Sequence, residues 1–489
     1  MSNEFNELDA LLGSASRDLR TQIGDTDIPE FRPPNNNVRT VVVAALLLVA
    51  GIVGVSVLRG ETPNEIDTVD APENGNVQEV PDITSQEPNP DGPAATPNPS
   101  ADELITGFDT TPPVESLAPT ALGEFWNDPA YRSVQRRVTD DASRPEVSAR
   151  TGSAFASPEN ADGSAVLVLR DETFWHIVDR ATLESTAIDS VSTRSEPHWH
   201  PTDATRIRHL AESDAANRLV LLETSIGGAT VTLADLADPI TELFPTAAVI
   251  TSGGGHDPVA GNIYAWAVLD QSGELIGAVS YDLDQGTVLG STPAPDEDFG
   301  DFSSVRVSPS GTHVILGFVD NTISYDITLG DPRVLDQRDR SGALVAMPGR
   351  ADALLTVSLT SDTANGGWIY WLDLETGEST RLFDLFDNAN TSVSFSATPG
   401  RPGWAVMSTF GCNVDGAWSC DKVFAVDLAS GTLVNLAHTY SCAPVGIAPP
   451  QASVSPRLDR VYFSSDSCAG TTNVVELTAP PDLFSLAGE

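Results

Sequence analysis

The sequence predicts an all-β protein: a seven-bladed β-propeller behind one N-terminal transmembrane helix and a disordered linker. Three observations predict it. A turn-and-strand phrase recurs about every 50 residues, the signature of one small unit stacked many times. A long uncharged apolar run lies near the N-terminus. Between the two lies a stretch of acid and proline that carries no cation.

The first 39 residues are a short cytoplasmic tail. Phe5, Leu8, Leu11, Leu12, Ala15 and Leu19 are spaced for one helical face. Ser2 or Asn3 would cap that helix, and Pro29, Pro33 and Pro34 end it. A segment this small buries no core of its own, so its use is to dock a cytoplasmic partner or to orient insertion.

Residues 40–59 are the expected span. Val41 to Leu58 holds Ser56 as its only polar side chain. At 1.5 Å per residue this run covers roughly 27 Å, close to the hydrocarbon thickness of a bilayer. Arg17, Arg20, Arg32 and Arg39 precede it; after Arg59 no cation follows until Arg132. That bias predicts a cell-membrane protein with a cytoplasmic N-terminus and an extracytoplasmic C-terminal domain.

Residues 60–120 hold thirteen acidic residues, eleven prolines and no Lys or Arg. Such a segment cannot bury enough apolar surface to fold and serves as an extended spacer. Residues 121–139 read as a junction, with Phe125, Trp126 and Tyr131 beside the basic cluster of Arg132, Arg136 and Arg137.

Residues 140–489 carry the repeat. One phrase is a Ser-Pro turn followed by an apolar strand: Val307-Ser308-Pro309-Ser310-Gly311 and Val454-Ser455-Pro456, with weaker copies at Ser157-Pro158 and His200-Pro201. The other is an alternating strand ending in Asp, an apolar residue and Gly. Ile369 to Gly377 and Val423 to Gly431 are its cleanest copies. Period-2 alternation makes these strands, and the Asp and Gly mark the turn into the next one. About seven copies fit, with six and eight as neighbouring counts; closure of the ring would bring N- and C-terminal strands into one blade.

These phrases resemble the TolB-type β-propeller repeats of bacterial envelope proteins. The resemblance covers the C-terminal 350 residues or so and implies the fold more than any activity. His198-Trp199-His200-Pro201-Thr202-Asp203 is also similar to a short element of oligogalacturonate lyases, propellers that use a metal.

The candidate site residues follow. His198 and His200, two apart on a strand, share a face and could bind a divalent metal with His209 as third ligand. His256 and His313 are further candidates for the axis, and Asp296, Glu297, Asp298 and Asp301 for a calcium loop. Cys412, Cys420, Cys442 and Cys468 read as two disulfides in an exported domain, most economically Cys412–Cys420 and Cys442–Cys468.

No Gly-x-Ser-x-Gly elbow, His-Glu-x-x-His or P-loop occurs, so no catalytic residue or cofactor is assigned. A net charge of -43 with a single lysine excludes a general nucleic-acid binder. The expected function is a membrane-anchored module presenting its propeller face to a protein or glycan. The alternatives are a metal-dependent, lyase-like carbohydrate enzyme using the funnel, and a transmembrane sensor signalling through residues 1–39.

Overall fold

The structure is a computed structural model. It describes residues 99–484 except 101–102, 113–120, 141–148, 171–173, 194, 212–218, 254–261, 297–298, 336–341, 359–366, 386–391, 412–416, 442–448 and 468–470. The tail, the apolar run and most of the linker lie outside the described residues.

Strands β1 (Phe125–Asn127) and β2 (Val134–Arg137) open the chain's sheet structure. Blade 1 follows as β3 (Ala149–Arg150), β4 (Ala165–Arg170), β5 (Phe174–Asp179) and β6 (Ser185–Ala187). Blade 2 is β7 (His198–Trp199), β8 (Arg206–Leu210), β9 (Val220–Ser225) and β10 (Thr230–Asp235), after which helix α1 (Ala237–Leu243) leads on. Blade 3 is β11 (Val249–Thr251), β12 (Ile263–Leu269), β13 (Leu275–Asp282) and β14 (Thr287–Pro293). Blade 4 is β15 (Phe302–Val307), β16 (His313–Phe318), β17 (Thr322–Asp326) and β18 (Arg333–Leu335). Blade 5 is β19 (Ala343–Val345), β20 (Ala353–Val357), β21 (Trp368–Asp373) and β22 (Ser379–Asp384). Blade 6 is β23 (Ser392–Ala397), β24 (Trp404–Phe410), β25 (Lys422–Asp427) and β26 (Leu433–His438). Blade 7 joins β27 (Ser453–Val454), β28 (Arg460–Ser465) and β29 (Asn473–Thr478) to β2 and β1 in one five-stranded sheet.

The blade count is therefore seven, and the ring closes through both ends of the domain. β29 pairs with β28 on one side and with β2 on the other. The junction segment is thus the outer edge of blade 7, and its arginines are spoken for. Arg136 pairs with Glu476 at 2.9 Å, Arg137 with Asp140 at 3.1 Å and the exposed Arg132 with Glu103 at 3.0 Å.

The core explains why the repeat reads as it does. Seven apolar clusters fill the seven spaces between successive blades. A middle strand must be apolar on both faces, and β16, β24 and β25 are buried along their whole length. The outer strand β6, Ser185-Thr186-Ala187, is by contrast exposed along its whole length.

The second repeated phrase is the turn from third to fourth strand. Its Asp carboxylate accepts the following amides: Asp373 those of Glu375 and Thr376, Asp427 that of Ala429 and Asp326 those of Thr328 and Gly330. The turn then needs a left-handed residue. Gly377 and Gly431 supply it at φ 75° and 72°, whereas blades 1 and 4 use Leu183 and Leu329 at φ 61°.

One boundary differs from the sequence reading. Residues 104–111, which composition assigns to the linker, lie along the outer edge of blade 6. Thr106 bridges Val434, and Gly107 N–H donates to Leu433 O at 2.8 Å. The acid and proline around them mask a short apolar motif, Leu104-Ile105, that is enough to dock.

Candidate functional site

The Ser-Pro turns of the repeat meet at the mouth of the central funnel. They join the first strand of a blade, which faces the axis, to the second. A cavity of about 250 Å³ lies there, walled by Pro201, Pro309, Pro399 and Pro456 from four blades and by Ala343 and Leu344 of a fifth. Phe155, Trp199 and Arg306 also line it, with Ser157, Glu159, His200 and Thr398 among its polar residues.

Each turn is held by the side chain before its proline. Ser308 Oγ accepts the amides of Thr312 and His313, Ser455 Oγ that of Arg460, Ser157 Oγ that of Glu159 and Thr398 Oγ1 that of Gly400. In blade 2 the same place belongs to His200. Its Nδ1 accepts the amides of Thr202 at 3.1 Å and Asp203 at 2.8 Å. An imidazole nitrogen that accepts two N–H groups carries no proton, so the proton sits on Nε2.

Binding a metal through Nε2 would require the proton on Nδ1, where two backbone amides point. His209 lies on the other side of the sheet. β8 pairs His198 with Arg208 and Trp199 with Ile207, so His209 falls on the face opposite His198 and His200. Its Nε2 meets Thr224 Oγ1 at 2.9 Å. His198 Nε2 meets the Tyr264 hydroxyl at 3.3 Å. The three imidazoles predicted as ligands therefore do not converge. On the shared face stand Arg206 and Arg208, both bound to the buried Glu223.

Among the described residues no group of three His, Cys, Asp or Glu is arranged to hold a metal ion. His313 sits at the start of β16 against Glu375, at 3.3 Å, away from the cavity wall. His256, Glu297 and Asp298 lie outside the described residues. So do Cys412, Cys442 and Cys468; Cys420 is disulfide-bonded.

The electrostatics follow from burial and neighbours. Burial and the Arg208 charge hold His200 below the ordinary histidine range, and burial does the same to His209. Burial pushes Glu223 up, but the hydrogen bonds and charges of Arg206 and Arg208 outweigh it, and the carboxyl ends below its usual range.

Two wall residues were not singled out from sequence. Phe155, from the loop between β3 and β4, lies under the guanidinium of Arg306, 4.3 Å from its carbon to the ring centroid. Blades 1 and 4 are far apart in the ring, so this pair reaches across the funnel. Arg306 also donates to Gly342 O of blade 5. The signal available was an arginine inside the apolar strand Val305-Arg306-Val307, directly before a Ser-Pro turn.

The fold and the funnel define a seven-bladed β-propeller closed by its N-terminal strands. Two solved structures are similar to this chain in fold. One is an oligogalacturonate lyase in complex with manganese, at 13% identity and TM-score 0.52, covering 75% of this chain and 100% of its own. The other is the oligogalacturonate lyase of Vibrio parahaemolyticus, at 11% identity and TM-score 0.51, covering 73% and 97%. No family model and no curated protein matches the chain.

Proposed function

We propose that this chain is a single-pass, membrane-anchored propeller that binds a protein or glycan of the cell envelope at its funnel, on the extracytoplasmic side. One observation carries the binding role. The polar side chains of the cavity wall are engaged by the fold itself: Ser157, His200 and Thr398 hold turns, Glu159 is ion-paired with Arg460, and Arg306 spans to Phe155 and Gly342. What remains is an apolar, proline-rimmed concavity with aromatic faces, a shape suited to holding a ligand. The uncharged run Val41 to Leu58 and the acidic spacer after it support the anchored topology. Among the described residues no helix is long and apolar enough to cross a membrane, and the run itself lies outside them.

The test is co-purification of the intact chain from its own membrane, beside an Ala343→Trp variant that fills the cavity. A ligand held by the parent and lost by a variant of equal thermal stability supports the reading. A ligand retained by the variant moves the site elsewhere. Protease added to whole cells should release the propeller; full resistance would refute the topology. Metal content of the purified chain, unchanged on His200→Ser, is the expected result. Stoichiometric metal lost in that variant would favour the lyase-like alternative instead.

A further inference from the structure

The outer edge of blade 6 is built to read an extended peptide backbone. Three polar side chains there are buried to 1% exposure or less: Lys422, Asn435 and His438. All three find main-chain oxygens of residues 105–111. Asn435 Nδ2 donates to Ile105 O at 3.1 Å and Gly107 O at 3.0 Å. Lys422 Nζ donates to Asp109 O at 2.7 Å. His438 Nε2 donates to Thr111 O at 3.0 Å, since a carbonyl can only accept. The Asn435 amide adds a ladder bond to Ile105 O at 2.9 Å.

Side chains supply the remaining selectivity. Leu104 packs on the apolar cluster between blades 6 and 7. Phe108 meets Trp418 at 4.8 Å between centroids, although it is 58% exposed. The Asp109 carboxylate accepts from the Tyr131 hydroxyl at 2.8 Å and lies 3.7 Å from Lys422 Nζ. Main-chain pairing for affinity with alternate side-chain pockets for choice is the logic of strand addition to a sheet edge.

We propose that this edge is a peptide-recognition groove, that residues 104–111 are its occupant in cis, and that an extended segment of the same chemistry, apolar-x-x-Gly-aromatic-Asp, can take their place. The occupant is covalently tethered at both ends, which raises its local concentration and keeps the groove filled until a competitor or a pull on the linker displaces it. Release would uncover the chain's only lysine. Covered, the Lys422 amine is 1% exposed and shielded from acylating reagents; uncovered, it reacts as an ordinary solvent-exposed lysine.

The experiment uses the full-length chain and reads acylation of Lys422 by peptide mapping. In the parent chain Lys422 should be protected. The double variant Leu104→Ala, Asp109→Ala removes one apolar anchor and one carboxylate, and labelling should rise by at least about tenfold. A synthetic peptide of residues 102–112 should then restore protection, while a scrambled peptide should not. Three results would overturn the proposal: labelling unchanged in the variant, labelling raised but insensitive to the peptide, or a variant that no longer folds. The last would make residues 104–111 an integral strand of the blade. Thermal unfolding of the variant separates it from the other two.

Discussion

Arg460 grips Glu159 with two hydrogen bonds across 301 residues of sequence, at the seam where blade 7 meets blade 1. The Tyr462 hydroxyl donates to the same carboxylate at 2.6 Å and lies 3.3 Å from Glu476. Glu476 in turn takes two hydrogen bonds from Arg180 at 2.8 Å and one from Arg136 at 2.9 Å. The network ties three strands of blade 7 to blade 1, where an open ring would part. Both glutamates are almost fully buried, so removing one strands a cation rather than merely deleting a bond. Glu159→Gln or Glu476→Gln should cost about 3 kcal/mol. Urea unfolding of each variant checks this, and a loss under half of that would mean the seam is held by its apolar cluster alone.

The same network predicts an acid limb in stability. Burial pushes the Glu476 carboxyl up, but Arg180 and Arg136 more than offset it, and the folded carboxyl lies below the ordinary glutamate range. A carboxyl depressed by folding stabilises above its unfolded value and loses that contribution as pH falls through its folded one. Stability should therefore drop steeply below about pH 4.5. Glu476→Gln should flatten this limb while leaving the curve above pH 6 parallel to that of the parent.

His200 acts as the cap of a turn, and that role can be separated from ligation. His200→Ser restores the residue used in blades 1, 4 and 7 and should be close to neutral. His200→Ala leaves two amides without an acceptor and should cost about 1 kcal/mol. The pH dependence has the same sign as for Glu476. Folding depresses His200 below its ordinary value of about 6.5, so stability is complete above that pH and declines as pH falls toward the folded value. A Ser variant whose unfolding midpoint no longer varies between pH 7 and 5.5 would assign the effect to this ring; His209, also depressed by burial, contributes any slope that remains.

The ring was legible in the sequence because its determinants are local. Ser308, Pro309, Asp373 and Gly377 each act on amides within a few residues, so a phrase of five residues carries the turn. Blade closure was legible from topology alone, since an unclosed ring leaves edges. The seam was not: Glu159 and Arg460 have no local relation, and a glutamate beside a Ser-Pro turn looks solvated. The histidine pair misled for a related reason. Alternation correctly put His198 and His200 on one face, but His209 enters from the next strand, whose register depends on the turn between them. Leu104 to Asp109 was hidden by composition, because the acids and prolines around it outweigh two apolar residues in any average.

Cys420 is disulfide-bonded, while the other three cysteines lie outside the described residues. The sequence favours Cys412 as its partner, across the Asp415-Gly416 turn. Mapping of non-reduced peptides should recover that link, and Cys420→Ser should lower stability by about 2 kcal/mol. A Cys420–Cys442 or Cys420–Cys468 link would instead tie the β24–β25 loop to the segment between β26 and β27 or to that between β28 and β29.

Ring closure makes the sharpest test of the architecture. β29 has a strand on each side, so deleting residues 473–478 removes the only sheet contact between β28 and β2. Blade 7 would then lose its middle, and the clusters between blades 6 and 7 and between blades 7 and 1 would lose Val474, Val475 and Leu477. Burying three such side chains stabilises by roughly 1.5–3 kcal/mol each, a large part of the margin of an ordinary domain. The deletion should abolish the single cooperative thermal transition rather than shift it. Deleting residues 121–139 should do the same from the other end, because β2 supplies the outer strand of that blade and Arg136 one arm of the Glu476 network. A truncated chain that keeps the parent's transition would mean that the blades are stable without closing the ring.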